Sequence, residues 1–287
     1  MTKSRIVNWI GLGAGMALAV GCSYIDVTDD TVRAGTFTLV HVAGVEDVGA
    51  TADNPLGRLA RLAAPDMRGG RDRLHGVLTT VSGGFLTTPG SDGAQTISLL
   101  NTIGVEVATP SDREFTLTES EFHERVQQAR FPVIASNLTD AGGQQFADMT
   151  RGIVMPVKTE KGLIDVGLVG LMRSTAPPAW ATYTDPIEAA KTAVPRTRKW
   201  AQFVVALTSF SIADDQALIA AVPGIDLVLG SNRGETWAIT REPGTTPIAK
   251  ADVNARTAVV ATITITAGNA RPEIAVRIEQ LDKSPVK

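Results

Sequence analysis

The sequence predicts a layered α/β fold built as one domain, and three observations predict it. Short β-rich runs closed by glycine-bearing turns alternate with stretches whose apolar residues recur at helical spacing. Helices between buried strands are the mark of a layered α/β domain. No internal repeat, charge run or low-complexity block interrupts residues 35–287, so nothing marks a boundary at which to cut a second unit.

Each element has its own signal. Thr36 to Val42 alternates and is rich in strand formers, and Gly76 to Val81 reads as a second strand closed by Ser82-Gly83-Gly84. Between them Leu56, Leu59, Ala60 and Ala63 give helical spacing over Asn54 to Met67. Thr96 to Ile103 repeats that pattern ahead of a short strand, Val105 to Ala108. An acidic helix over Glu119 to Ala129 leads to a strand at Val133 to Ala135. Ile153 to Lys158 against Leu163 to Leu171 reads as a hairpin. Asp185 to Trp200 is helical, Phe203 to Leu207 and Asp226 to Leu229 are strands, and the tail from Ile248 to Leu281 is strand-rich and antiparallel.

With 44% hydrophobic and 20% charged residues among 287, the chain has the composition of an ordinary globular protein. The net charge of -3 supplies no basic footprint, so nucleic acid is not an expected partner. No apolar run of about 18 residues follows the N-terminal segment, so no membrane span is expected in the body. That first segment reads differently. Lys3 and Arg5 precede an apolar stretch from Ile6 to Val20 that ends in Gly21-Cys22, the layout of a secretory signal. The chain's one cysteine, behind a small residue, resembles a bacterial lipobox. That resemblance implies a signal peptide over residues 1–21, a lipid on Cys22 that holds the protein to a membrane, and a polar tether over residues 22–34. Ser23 resembles the sorting position of lipoproteins sent to the outer membrane, so its periplasmic face is the expected location. A single cysteine leaves no intrachain disulfide.

Five strand-to-loop junctions follow one another: Leu39 to Glu46, Ser82-Gly83-Gly84-Phe85-Leu86, Ser111-Asp112-Arg113-Glu114-Phe115-Thr116, Ala206 to Phe210, and Leu229 to Gly234. In their order they resemble those of the 5'-nucleotidase family of calcineurin-like metallophosphoesterases, a resemblance that covers nearly all of residues 36–281. Phe131-Pro132-Val133-Ile134-Ala135-Ser136-Asn137, Val166 to Gly170, and Asp214-Asp215 through Leu227 resemble that family's scaffold segments. The resemblance implies a metallophosphoesterase-like β-sandwich flanked by helices over residues 35–287, ending before a C-terminal nucleotidase domain. The family holds two divalent cations at these junctions with carboxylates, imidazoles and an amide, which clamp a phosphate and activate water. Here the ligand positions read otherwise. Gly44 and Glu46 stand at the first junction, Gly84 at the second, and Asp112 with Arg113 at the third, where Arg113 takes the place of the catalytic His. Ser209 stands at the fourth, and Asn232 with Gly234 at the fifth.

Two functional classes follow. In the first the chain is a non-catalytic relative, a binding or assembly component with no cofactor and an unidentified protein partner. In the second it is a phosphomonoesterase or 5'-nucleotidase with a rebuilt divalent-metal site, for which Glu46, Asp47, Asp112 and Asn232 are the oxygen ligands. A third reading keeps the cleft for a small anion, with Arg113, Glu46, Asp112 and Asn232 as ligand-binding residues, because a guanidinium holds phosphate or carboxylate bidentately. Its structural counterpart is an ion pair from Arg113 to Glu46 or Asp112. Of the three histidines, His41 is expected to pack inside the first strand, and His75 and His123 to be solvated. Trp180, after Pro177-Pro178, marks either a contact loop or a half-buried anchor.

Overall fold

The computed structural model describes residues 34–45, 55–63, 76–87, 93–174, 176–231, 237–240, 244–268 and 271–281. Residues 1–33, with Cys22, and the site candidates Glu46, Asp47, Asn232 and Gly234, lie outside them, as does His75.

Strands β1 (Gly35–Ala43), β2 (Val77–Ser82) and β3 (Val107–Thr109) run parallel, and β12 (Thr257–Ile265) and β13 (Glu273–Gln280) add antiparallel to β1, giving the order β13-β12-β1-β2-β3. A second sheet orders β10 (Ala238–Thr240), β11 (Ile248–Ala251), β9 (Leu227–Ser231), β8 (Phe203–Thr208), β6 (Gly162–Leu171) and β5 (Gly152–Thr159), with β6, β8, β9 and β11 parallel. The sheets pack face to face through Phe37, Leu39, Val259 and Ile263 of one and Phe203, Val205, Leu207 and Leu229 of the other. On the outer face of the first sheet, Val40 and Val42 meet helices α1 (Pro55–Ala63), α2 (Ala94–Ile103) and α3 (Glu119–Gln128) through Leu56, Leu59, Ile97 and Phe122. On the outer face of the second, Val204, Ala206 and Val228 meet α4 (Pro186–Arg198) and α5 (Ile212–Ala221) through Val194 and Leu218. Successive strand residues thus face two different cores, which is why these strands read as continuous apolar runs.

The result is the expected helix-flanked β-sandwich. Helix starts follow their capping chemistry: Thr118 and Glu121 form a reciprocal capping box on α3, and Asp185 caps α4 ahead of Pro186. The segment Val133 to Ala135 departs from expectation, making single bridges from Val133 to Ala108 and from Ile134 to Thr150 instead of a strand. The chain here bonds three neighbours in turn, Ala108, Thr150 and then Gly170, and stays with none long enough to form a ladder. The three-residue strands β4 (Leu138–Asp140) and β7 (Ala181–Tyr183), which pair as a separate small sheet, and β10 are too short to show a period in sequence.

Asn137 joins this small sheet to the sandwich. Its Nδ2 donates to the carbonyls of Met172 (2.8 Å) and Thr184 (3.0 Å), and its Oδ1 accepts from Met172 N (3.1 Å). Its own carbonyl accepts from Thr184 N at 2.9 Å. The buried amide is therefore satisfied on both sides.

Candidate functional site

The carboxyl ends of β1, β2, β3, β8 and β9 open onto one cleft of about 350 Å³, lined by Gly44, Ser82, Gly83, Ser111, Asp112, Arg113, Ser209, Ser231 and Val253. Strand ends of parallel sheets are where α/β folds place ligands. Of the residues expected at the site, the fold brings Gly44, Asp112, Arg113 and Ser209 together, with Gly84 next in chain to the lining residue Gly83. Ser82, Ser111, Ser231 and Val253 are additions to the expected set. Each is a neighbour in sequence or space of an expected position, and Ser231 directly precedes Asn232.

Backbone geometry explains the glycines. Gly44 has φ +56°, and a Cβ there would meet the Val253 side chain at 3.1 Å. Gly83 has φ +64°, and a Cβ there would lie 2.8 Å from the Ser111 side chain. Left-handed backbone and close approach both call for glycine.

Glu114 ties the second loop to the third. Fully buried on the 3-10 turn Asp112–Thr116, its Oε1 accepts from Phe85 N (2.9 Å) and Leu86 N (3.4 Å), and its Oε2 from Ser111 N (2.8 Å) and Oγ (2.9 Å). Burial pushes its carboxyl above the usual range, against the opposing pull of these donors. Ser111 Oγ in turn accepts from Arg113 N at 3.3 Å, which fixes the start of the turn that presents Arg113. Arg113 is exposed at the rim, and both it and Asp112 have contacts of their own. The expected ion pair to Glu46 involves a residue outside the described set.

Beneath the cleft, His41 behaves as expected of a packed histidine. It is buried between the sheets, with Nδ1 2.9 Å from Thr80 Oγ1 and Nε2 3.0 Å from Ser82 Oγ. Burial, with the nearby Lys250 charge, lowers its pKa to about 3. A base that stays neutral down to that pH cannot take the proton of Ser82 near neutrality, so the pair positions the loop and does not activate a nucleophile. Because the folded pKa lies below the ordinary value of 6.5, the unfolded chain binds this proton first as pH falls. Stability from this group is complete above the unfolded value and is lost as pH falls toward the folded one, a loss of about 2 kcal/mol by pH 5. Urea midpoints measured against pH should show this slope in the native chain, and His41→Gln should flatten it. An unchanged slope in the variant would rule out His41 as its source.

On the α5 side of the second sheet lies a buried group absent from the expected set. Lys250 and Asp215, both wholly buried, form an ion pair; Lys250 Nζ donates to Thr208 Oγ1 at 2.8 Å, and Thr208 Oγ1 donates to Asp215 Oδ1 at 2.8 Å. The trio joins β8, α5 and β11; Thr208 directly precedes Ser209 in the chain, and Lys250 is in register with Gly230, the residue before Ser231. Burial lowers the Lys250 pKa and raises that of Asp215, and their mutual attraction opposes both shifts. The signal in sequence is a lone lysine inside the apolar run Ile248-Ala249-Lys250-Ala251.

His123 corrects an expectation. Although helical and charged in context, it is only partly exposed: its Nδ1 bonds Asp148 Oδ2 at 2.8 Å, and its ring lies 4.9 Å from that of Phe146. The loop that carries Phe146 folds over α3 and covers it. Trp180 is the half-buried anchor of the two readings, its ring 5.2 Å from Phe122, 5.8 Å from Phe115 and 6.1 Å from Phe146.

A two-cation centre needs several carboxylate or imidazole ligands converging on one point. Among the described residues, Asp112 is the only carboxylate lining the cleft, beside a guanidinium that never loses its proton. Among the same residues no three His, Cys, Asp or Glu side chains cluster at ligand distance. The described donor set therefore does not fit such a centre.

No family model matches the chain. In sequence it is similar to the uncharacterized metallophosphoesterase YunD of Bacillus subtilis (strain 168), 30% identical over 150 residues, a match that spans 50% of this chain and 32% of that protein. In structure it is similar to the calcineurin-like phosphoesterase YfkN of Bacillus subtilis, with a TM-score of 0.67 and 16% identity over 86% of this chain and 91% of the other. A 5'-nucleotidase precursor of Thermus thermophilus matches with a TM-score of 0.67 and 14% identity over 85% of this chain and 54% of its own. The sulfate thiohydrolase SoxB of Thermus thermophilus matches with a TM-score of 0.68 and 16% identity over 88% of this chain and 58% of its own.

Proposed function

We propose, on the premise that this chain has the calcineurin-like phosphoesterase fold, that it is a non-catalytic metallophosphoesterase-like lipoprotein serving as a binding or assembly component. The observation that carries this reading is the convergence, in one cleft at the strand ends, of Gly44, Ser209, Arg113 and, among the described residues, a single carboxylate, Asp112. That set lacks the ligands for two divalent ions and so lacks the means to polarise a phosphoryl group and lower the pKa of a bound water. The lipid on Cys22 and a place on the periplasmic face of the outer membrane belong to the same proposal, supported by the lipobox-like Gly21-Cys22-Ser23.

The test is hydrolysis of a generic phosphomonoester by the purified full chain in detergent, with manganese, zinc, cobalt and calcium each in excess. The expected rate equals that of the metal alone. Turnover that needs one of these metals and disappears in Asp112→Ala would overturn the proposal in favour of a rebuilt hydrolase site.

A further inference from the structure

The two ends of the sandwich differ in charge, and the cause lies in the helix termini. Helices that return along a parallel sheet start near the strand carboxyl ends and finish near the amino ends, and acidic residues favour a helix start, basic ones its finish. Asp185 and Glu188 open α4, and Arg196, Arg198 and Lys199 close it; Glu119 and Glu121 open α3, and Asp214 opens α5. With Asp112 on its wall, the cleft end is the acidic one. Against these acids stand Arg113, Arg256 and Arg173, the last bound to Asp214 at 3.1 Å.

The opposite end is where β1 begins. Gly35 pairs with Ile265, Thr36 N donates to Glu160 at 3.3 Å, and Thr159 Oγ1 donates to Ala34 O at 3.5 Å, so both sheets meet here. Lys158 and Lys161 flank the β5–β6 turn, Arg196 and Lys199 close α4, and Arg271 lies between β12 and β13; all five are exposed. Glu160, Asp165 and Glu273 oppose them, and Asp226 is taken up by Arg198. A chain of net charge -3 therefore carries an excess of positive charge on the face its N-terminal segment joins. Residues 22–34 reach about 45 Å at most, and the nine residues of β1 put about 30 Å between this face and the cleft. The length of the linking segment thus leaves the orientation open, and charge decides it. Attraction of Lys and Arg to an anionic leaflet fades within about 10 Å, so it acts on the face that touches and not on the far one.

We infer that the basic face at the amino end of β1 rests against the anionic headgroups of the membrane that holds the lipid, and that the cleft opens away from that membrane into the aqueous space. The inference rests on the lipoprotein reading and adds to it a contact surface and an orientation. Asp26, Asp29 and Asp30 of the linking segment are repelled by the same headgroups, so the folded face and not the linker makes the contact. Whatever occupies the cleft then arrives from solution and not from the bilayer.

The experiment takes the full chain, processed in a bacterial host, into vesicles of phosphatidylethanolamine and phosphatidylglycerol that carry a headgroup-attached quencher. A lipid on Cys22 blocks the one native thiol, so a fluorophore can be placed on Ala267→Cys, exposed between β12 and β13, or on Ser120→Cys, exposed at the start of α3. The Ala267→Cys label should be quenched about tenfold more than the Ser120→Cys label, the preference that an excess of about one to two basic charges gives at an anionic surface. Exchanging the vesicles for neutral phosphatidylcholine should abolish the difference, as should replacing Lys158, Lys161, Arg196 and Lys199 together by Gln. Equal quenching at both positions, stronger quenching at Ser120→Cys, or a difference that survives in neutral vesicles would each overturn the inference. Mass spectrometry of the N-terminal peptide separates the two readings. A peptide without lipid on Cys22 overturns the lipoprotein reading on which the inference stands, whereas a lipidated chain with equal quenching overturns the inference alone.

Discussion

Lys250→Ala is expected to be the most damaging single substitution in this molecule, lowering stability by about 3 to 5 kcal/mol, because it leaves the Asp215 carboxyl buried without its counter-charge. Asp215→Ala should do comparable harm for the reciprocal reason, by stranding the ammonium. The pair itself contributes far less than either half removed would suggest, since taking both charges out of water offsets most of their attraction. A triple replacement, Lys250→Met with Asp215→Leu and Thr208→Val, removes every member of the polar trio and should recover most of the lost stability. Urea unfolding of the three proteins decides the matter. If the triple variant is as unstable as Lys250→Ala, packing of the aliphatic stem and not the stranded charge is the cause.

Glu114→Gln is expected to cost about 3 kcal/mol, little less than Glu114→Ala, despite the near-identical shape of the glutamine. The carboxylate serves four donors with two oxygens, and an amide offers one oxygen and turns an NH2 toward the remaining N–H groups. The loops it joins are those that line the cleft, so the same variant should loosen the cleft wall along with the fold. A urea-melting difference below about 1 kcal/mol between Glu114→Gln and the native chain would show that the clamp is dispensable.

Much of this architecture is legible in the chain. Strands such as Phe203 to Leu207 announce themselves because successive residues are apolar toward two cores, and the glycines that follow β1 and β2, Gly44 and Gly83-Gly84, mark two of the loops that build the cleft. The order of the five junctions suffices to place Gly44, Arg113 and Ser209 on one wall, where the fold has them. What the pattern does not supply is pairing across the sheet. Lys250 and Asp215 meet only because β11 lies beside β9, and β9 beside β8, and periodicity along one segment carries no information about its neighbours. The role of Glu114 is hidden for the same reason, because its four donors come from two loops whose approach depends on the left-handed turn at Gly83. His123 departs from expectation for a related reason: local charge describes its helix but not the loop that folds over it.

Asn137 has a bearing on motion. One side chain holds both Met172 and Thr184, the two ends of the loop that carries Trp180. A loop whose feet are bonded to the same amide can open and close along its length without moving its feet apart, because separating them breaks several buried bonds at once. Fluctuations of that loop are thereby kept local, and the end of β6, the neighbour of the strand that delivers Ser209, is insulated from them.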